Sequence, residues 1–232
     1  MSPRILVCGA GGFIGGHLIS DLRRQGFTQL RAVDQKPLGD WYQRFDDVEN
    51  LQLDLSRLDA CERAVEGYDV VYNLAADMGG MGFIELNKAL CMLSVLINTH
   101  LLMAARQAGG VERFFYASSA CVYNGDKQKD PNVTALAEAD AYPALPEDGY
   151  GWEKLFSERL YAAYNRQYGM RNRVARFHNI FGEYGTWRGG KEKAPAAMLR
   201  KAIETPEGSE IEVWGDGSQT RSFLHVDECV EA

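Results

Sequence analysis

Tyr150 and Lys154 stand four residues apart in Tyr150-Gly-Trp-Glu-Lys154, a spacing that puts both side chains on one face of a helix. Such a pair can do proton chemistry. A phenol titrates near 10 and becomes a useful base at neutrality only if its proton affinity falls about a thousandfold, or about 4 kcal/mol. One positive charge at about 4 Å, in an effective dielectric of about 20, supplies about that much. Lys154 is placed to provide it. By itself the pattern is as readily an exposed helix pair, so its weight comes from its company. Ser118-Ser119 could orient a hydroxyl. Gly9-Ala-Gly-Gly12-Phe-Ile-Gly15 follows an apolar run and opens a helical one. Glycines there let the chain turn tightly, approach a pyrophosphate with its backbone, and pack a helix close to a strand, while the helix N-terminus offers N–H donors and positive dipole. Gly9, Gly12 and Gly15, with Phe13 and Ile14 between them, are the candidate phosphate turn.

Asp34 stands 19 residues past Gly15, at the end of the next apolar run. An acid at about that distance grips a ribose 2′-hydroxyl and repels a 2′-phosphate, so the expected cofactor is NAD rather than NADP. Asp54, with Leu55 beside it, ends a third run and could reach the adenine amino group, or be no more than a solvated turn residue.

The elements that must hold these residues follow from apolar periodicity. Strands are expected at 4–8, 30–33, 51–53, 70–74, 113–117 and 173–177, and helices at 13–25, 56–66, 85–107 and 150–168. A polar loop runs from Asn124 to Asp148, and a helix begins at Asp227. Near-continuous apolar strands alternating with helices imply a parallel sheet covered on both faces. After Phe177 the chain turns to Gly, Trp and charged residues, which suits a substrate-facing region. The expected architecture is α/β: a Rossmann-type doubly wound parallel sheet over 1–177 that binds NAD, then a substrate-facing region over 178–232.

Composition bounds the partners. The 232 residues carry 32 acidic and 25 basic side chains, a formal charge of −7. That repels nucleic acid, and any anionic ligand has to be met by local positive potential. Five widely spaced cysteines (Cys8, Cys61, Cys91, Cys121, Cys229), with no close pair, argue against a disulfide framework or a structural zinc site and for free thiols in the cytoplasm. No signal peptide is read at the N-terminus. The uncharged stretch from Ala89 to Ala105 contains Asn98, Thr99 and His100 and falls short of a membrane span of about 20 residues.

The glycine turn, Asp34, Ser119 and Tyr150/Lys154 together resemble the extended short-chain dehydrogenase/reductase superfamily. The resemblance makes Tyr150 the base, Lys154 its activator and a ribose ligand, and Ser119 a hydroxyl-orienting donor. Asn73-Leu-Ala-Ala76 is similar to that superfamily's cofactor-side turn, which adds Ala75 and Ala76. Four longer stretches narrow it: Ala76-Asp-Met-Gly-Gly-Met-Gly-Phe83, Phe115 to Tyr123, Arg176 to Gly182 with Gly185 to Pro195, and Trp214 to Phe223. These resemble the GDP-mannose 3,5-epimerases. The resemblance implies a GDP-sugar substrate, an acid/base pair at Cys121 and Lys193, and substrate contacts at Gly79, Gly80, Met81 and Asn179. Gln219 and Arg221 could bind a phosphate or a ribose hydroxyl. A homodimer through the helices near 85–107 and 150–168 is implied as well. His178 and His225 read as structural. The resembled family runs on past residue 232, so the resemblance implies that 178–232 is a partial nucleotide-sugar-binding region and that turnover by these residues is weak. The alternatives are another nucleotide-sugar enzyme of the superfamily (GDP-fucose synthase-like, or a sugar 4-epimerase) and an NAD-binding module without turnover. Asp34 and Lys193 point away from the fucose enzyme, which prefers NADP and pairs its cysteine with histidine.

Overall fold

A computed structural model describes residues 2–129, 135–213, 215, 217 and 220–232. Six short apolar runs become strands: β1 (Ile5–Cys8), β2 (Leu30–Asp34), β3 (Glu49–Gln52), β4 (Val70–Asn73), β5 (Arg113–Ser119) and β6 (Arg171–Phe177). All pair in parallel, in the order β3-β2-β1-β4-β5-β6. The chain builds outward from β1 on one side and then returns to build outward on the other. Connections therefore diverge at the carboxyl ends of β1 and β4, where Cys8 pairs with Asn73, and a crevice opens there.

The helices between strands are α1 (Phe13–Arg24), α2 (Leu58–Val65), α3 (Met81–Leu86), α4 (Lys88–Met92), α5 (Ser94–Ala108) and α6 (Tyr150–Tyr168). They cover both faces of the sheet. Leu6, Val71, Leu101, Leu102 and Phe114 pack in one core cluster; Ile5, Val7, Ile19, Leu22 and Leu30 pack in another. Each such burial contributes about 1.5–3 kcal/mol. Gly15 permits the tightest step. A Cβ there would lie 2.2 Å from the Gly9 carbonyl oxygen, so only glycine lets α1 start so close to the end of β1.

Beyond Phe177 come β7 (Asn179–Phe181), α7 (Ala194–Glu204), β8 (Phe223–His225) and α8 (Val226–Glu231). β7 and β8 form a separate two-stranded parallel sheet. Ile180, Val226 and Cys229 pack with Phe13, Ile14 and Phe177, which seats this segment on the start of α1.

The single helix expected over 85–107 is broken. Asn87 sits at φ −129°, ψ 38° between α3 and α4, with its side-chain amide donating to the Phe83 carbonyl at 2.8 Å. That side-chain bond competes with the helical ladder. α4 and α5 run on through Leu93, which keeps helical angles (φ −64°, ψ −16°), as one helix of 21 residues, Lys88 to Ala108, apolar enough by length and composition to cross a membrane. Its inner face nevertheless lies on α2 and α6, with Leu101, Leu102, Ala104 and Ala105 in the sheet's core.

Asn98, fully buried on α5, ties the layers together. Its amide donates to Glu153 Oε1 at 2.9 Å, and its carbonyl oxygen accepts from Asn73 Nδ2 at 2.9 Å and Tyr161 Oη at 3.2 Å. Asn73 Oδ1 in turn accepts from Ala75 N at 3.2 Å, which fixes the turn after β4. Truncating Asn98 takes one partner from each of three buried polar groups at once, leaving Glu153 Oε1 with Ser157 and Asn73 Nδ2 with Tyr161. Asn98→Ala is expected to lower the unfolding free energy by about 2–3 kcal/mol in urea denaturation, well above the cost of losing one exposed hydrogen bond.

Candidate active site

The crevice at the strand ends widens into a cavity of about 1060 Å³. Its floor is the glycine turn (Gly9, Gly12, Phe13, Ile14, Gly15) with Leu74, Ala75 and Ala76 after β4. Asp34, Asp54 and Leu55 line the same cavity. Asp34 ends β2 nearly buried, and Oδ1 accepts from Lys36 N at 3.0 Å, so its carboxylate is aimed by the chain itself. A backbone cradle that a Cβ at Gly15 would fill, with an oriented acid one strand away, fits a dinucleotide. The cavity is lined by six Lys/Arg side chains against five Asp/Glu, the local excess of positive charge that a chain of net charge −7 needs to receive an anion.

On the far side, β5 delivers Ser118 and Ser119, and α6 delivers Tyr150 and Lys154 from its first turn. The approach is close because residue 151 is glycine: a Cβ there would lie 2.4 Å from the Cys121 carbonyl oxygen. Ser119 Oγ accepts from Cys121 N at 3.2 Å, which turns the chain after β5 so that Cys121 packs in one cluster with Tyr150, Ile84 and Cys91. Lys154 Nζ donates to the Ala117 carbonyl at 2.9 Å and lies 5.5 Å from the centre of the Tyr150 ring.

The electrostatics differ from the sequence-based expectation in one respect. Lys154 does not bring the Tyr150 phenol down in this state. Burial pushes Tyr150 well up, the nearby Cys121 and Glu153 add to that, and only the Ser119 hydroxyl opposes it. Lys154 is itself lowered by burial, so the charge meant to activate the phenol is weakened by the same dry surroundings. Cys121 is pushed up to about 12, first by burial and then by Glu147, with Ser119 and Lys193 pulling the other way. Lys193, which caps α7, is lowered by burial and raised by Cys121. The thiol and the amine thus feel each other across the cavity wall from positions 72 residues apart.

Gly79 lines the cavity, and its neighbour Gly80 donates from N to the Lys191 carbonyl at 3.0 Å, which sews the loop after β4 to the stretch carrying Lys193. Of the expected substrate residues, Gly80, Cys121, Asn179 and Arg221 are not among those lining the cavity. Asn179 Nδ2 bonds the Ser222 carbonyl at 3.1 Å and holds β7 to β8. Arg221 is exposed and donates to the adjacent Thr220 carbonyl. The side chain of Met81 and all of Gln219 lie outside the described residues. The cavity also takes in residues that the sequence reading passed over: Lys36, Tyr42, Thr186 and Arg200, together with His178 and His225. Lys36, two residues past Asp34, carried a positional signal; the others reach the site through tertiary contacts alone.

The profile of the NAD dependent epimerase/dehydratase family matches residues 5–232. GDP-mannose 3,5-epimerase 1 of Oryza sativa subsp. japonica is 47% identical over 98% of this chain, and GDP-mannose 3,5-epimerase of Arabidopsis thaliana is 46% identical over 98%. The chain spans 59% and 60% of the lengths of those relatives. A UDP-glucose 4-epimerase of Thermus thermophilus, solved in complex with NAD, superposes with a TM-score of 0.80 at 23% identity, over 98% of this chain and 72% of that one.

Because the thiolate is the nucleophile, the raised Cys121 has a direct readout. Alkylation of Cys121 by iodoacetamide, followed by mass spectrometry of its peptide, is expected to be at least about a hundredfold slower at pH 8 than for a free thiol. Its rate is expected to climb about tenfold per pH unit through pH 10 with no plateau, whereas an ordinary thiol levels off near 9.

Proposed function

The chain belongs to the NAD dependent epimerase/dehydratase family, and from that premise we propose that it epimerises a nucleotide-linked sugar, GDP-mannose, at carbons 3 and 5 to give GDP-L-galactose. The observation that carries this reading is that Cys121, packed beside Tyr150 just after β5, and Lys193, in the wall of the cavity that also holds Tyr150 and Lys154, lie close enough to shift each other's proton affinity. The 46–47% identity to GDP-mannose 3,5-epimerases supports the choice of sugar nucleotide.

Gly9, Gly12, Gly15, Asp34, Asp54 and the Ala75-Ala76 turn would hold the cofactor. NAD held there would supply reversible hydride acceptance at carbon 4 of the sugar. Once it has given up its own proton, Tyr150 Oη, as phenolate, would take the proton from the carbon-4 hydroxyl, which Ser119 orients. Lys154, anchored on the Ala117 carbonyl, holds its ammonium beside the phenol ring. A ketone at carbon 4 acidifies the protons on carbons 3 and 5. Inversion at either carbon then needs one group to remove a proton and another to supply one from the opposite face. Burial raises the Cys121 thiol and lowers the Lys193 ammonium, so Sγ holds a proton to give and Nζ releases its own more readily than a free lysine would. The Gly80–Lys191 bond keeps the lysine-bearing stretch over the sugar.

The finer substrate and assembly assignments are part of the same proposal. The outer faces of α4, α5 and α6 expose Leu90, Leu93, Leu96, Met103, Trp152 and Phe156, an apolar surface suited to a second copy of this chain and unsuited to a polyanion. Five free thiols fit a reducing, cytoplasmic setting.

Incubation with NAD and GDP-mannose in deuterated water tests the reading. Deuterium is expected at carbons 3 and 5, falling by about 10²–10⁴ in Cys121→Ser and Lys193→Ala, with NAD binding retained. Inversion at carbon 4 with no deuterium at carbons 3 and 5 would mark a 4-epimerase. NAD binding with no exchange at all would mark a binding module.

A further inference from the structure

A reaction that oxidises a sugar and then reduces it again must keep one cofactor molecule through both halves. Two distant stretches of chain meet over the glycine turn in a way suited to that need. Tyr42 is seated on the turn: its backbone N donates to the Gly11 carbonyl at 3.4 Å, and its ring lies 4.4 Å from Lys36 Nζ, which bonds the same carbonyl at 3.2 Å. Its hydroxyl stands 2.9 Å from Thr186 Oγ1, contributed by the segment between β7 and α7, 144 residues further along. That segment is tied down a second time where His17 Nε2, on α1, meets the Glu183 carbonyl at 2.9 Å. Between the two ties, Tyr184 is held at φ 59°, a left-handed conformation that a tyrosine adopts only when its surroundings impose it.

Tyr42, Glu183, Tyr184 and Thr186 all line the cavity. Tyr42 also remains 39% exposed, so the hydroxyl–hydroxyl bond lies at the opening of the cavity and not on its floor. We propose that the Tyr42–Thr186 hydrogen bond, with the His17–Glu183 contact behind it, is a clasp holding residues 183–187 across the glycine turn, so that the dinucleotide stays in place between the two hydride transfers. The purpose of the clasp rests on the transient-oxidation reading above. Its existence does not, because cofactor exchange can be followed with no sugar present.

Release is measured by loading the protein with NADH, chasing with excess NAD and following NADH fluorescence; capture is measured by mixing NADH with free protein. Tyr42→Phe and Thr186→Val each remove one hydroxyl and keep the shape. Each is expected to quicken release about three- to tenfold, the range that one hydrogen bond allows. Capture should quicken too, because an opened clasp admits as readily as it releases, so Kd moves less than the release rate. The double variant should match the singles, since all three lose the same bond. Unchanged release overturns the clasp. So does faster release with unchanged capture, which would make Tyr42 a direct cofactor contact, and so does a double variant in which the two effects add. Deuterium incorporation from solvent tests the epimerase reading separately, so failure of one does not imply failure of the other.

Discussion

The first turn of α6 meets the carbonyl of Cys121 so closely that residue 151 has no room for a side chain, and the site is built around that contact. On one side it seats Tyr150 and Lys154 against the end of β5. On the other it fixes the turn in which Ser119 accepts from Cys121 N. The hydride side and the proton side of the chemistry thereby become neighbours. Without the contact, α6 could still cover the sheet through Leu155 and Tyr161, but its catalytic turn would stand away from the serine and the thiol. The buried network of Asn98, Glu153, Asn73 and Tyr161 supports the same arrangement from below, linking α5, α6 and the turn after β4.

Closeness and dryness come together, and dryness sets the protonation states. Tyr150 and Cys121 are pushed up while Lys154 and Lys193 are pushed down, each with burial as the largest cause. Burial therefore shifts each of the four toward its neutral form. Lys154 is a weaker activator than an isolated lysine one helical turn away would be, because desolvation that strengthens its field also disfavours its charge. A site of this kind responds strongly to whatever charge arrives with its ligands, since little water is present to screen it.

Much of this was legible in the sequence. The glycine turn, Asp34, and the helix from Tyr150 to Tyr168 were marked by residues whose chemistry and spacing admit few uses, and each lies where local pattern decides the structure. The break at Asn87 was less legible, because the apolar content around it supports a helix and only the side-chain bond to Phe83 opposes one. α7 carried a signal, Pro195 inside its first turn, but glycines and charges before it hid the pattern. β7 and β8 are three residues each, too short for periodicity, and pair across more than forty residues. Asn179 donates its amide to the Ser222 carbonyl, a partner supplied only by the pairing of those two strands. The Tyr42–Thr186 bond and the opposing shifts of Cys121 and Lys193 are tertiary facts with no local signature.

The central claim is that one backbone contact unites the two halves of the site, and Gly151→Ala tests it most directly. The glycine turn and Asp34 lie across the cavity from residue 151, so the account predicts that this variant still binds NAD, with Kd raised by no more than about tenfold through a displaced Lys154, while deuterium incorporation into GDP-mannose from solvent falls at least about a hundredfold. Incorporation at the parent's rate in a folded, NAD-binding Gly151→Ala protein would contradict it.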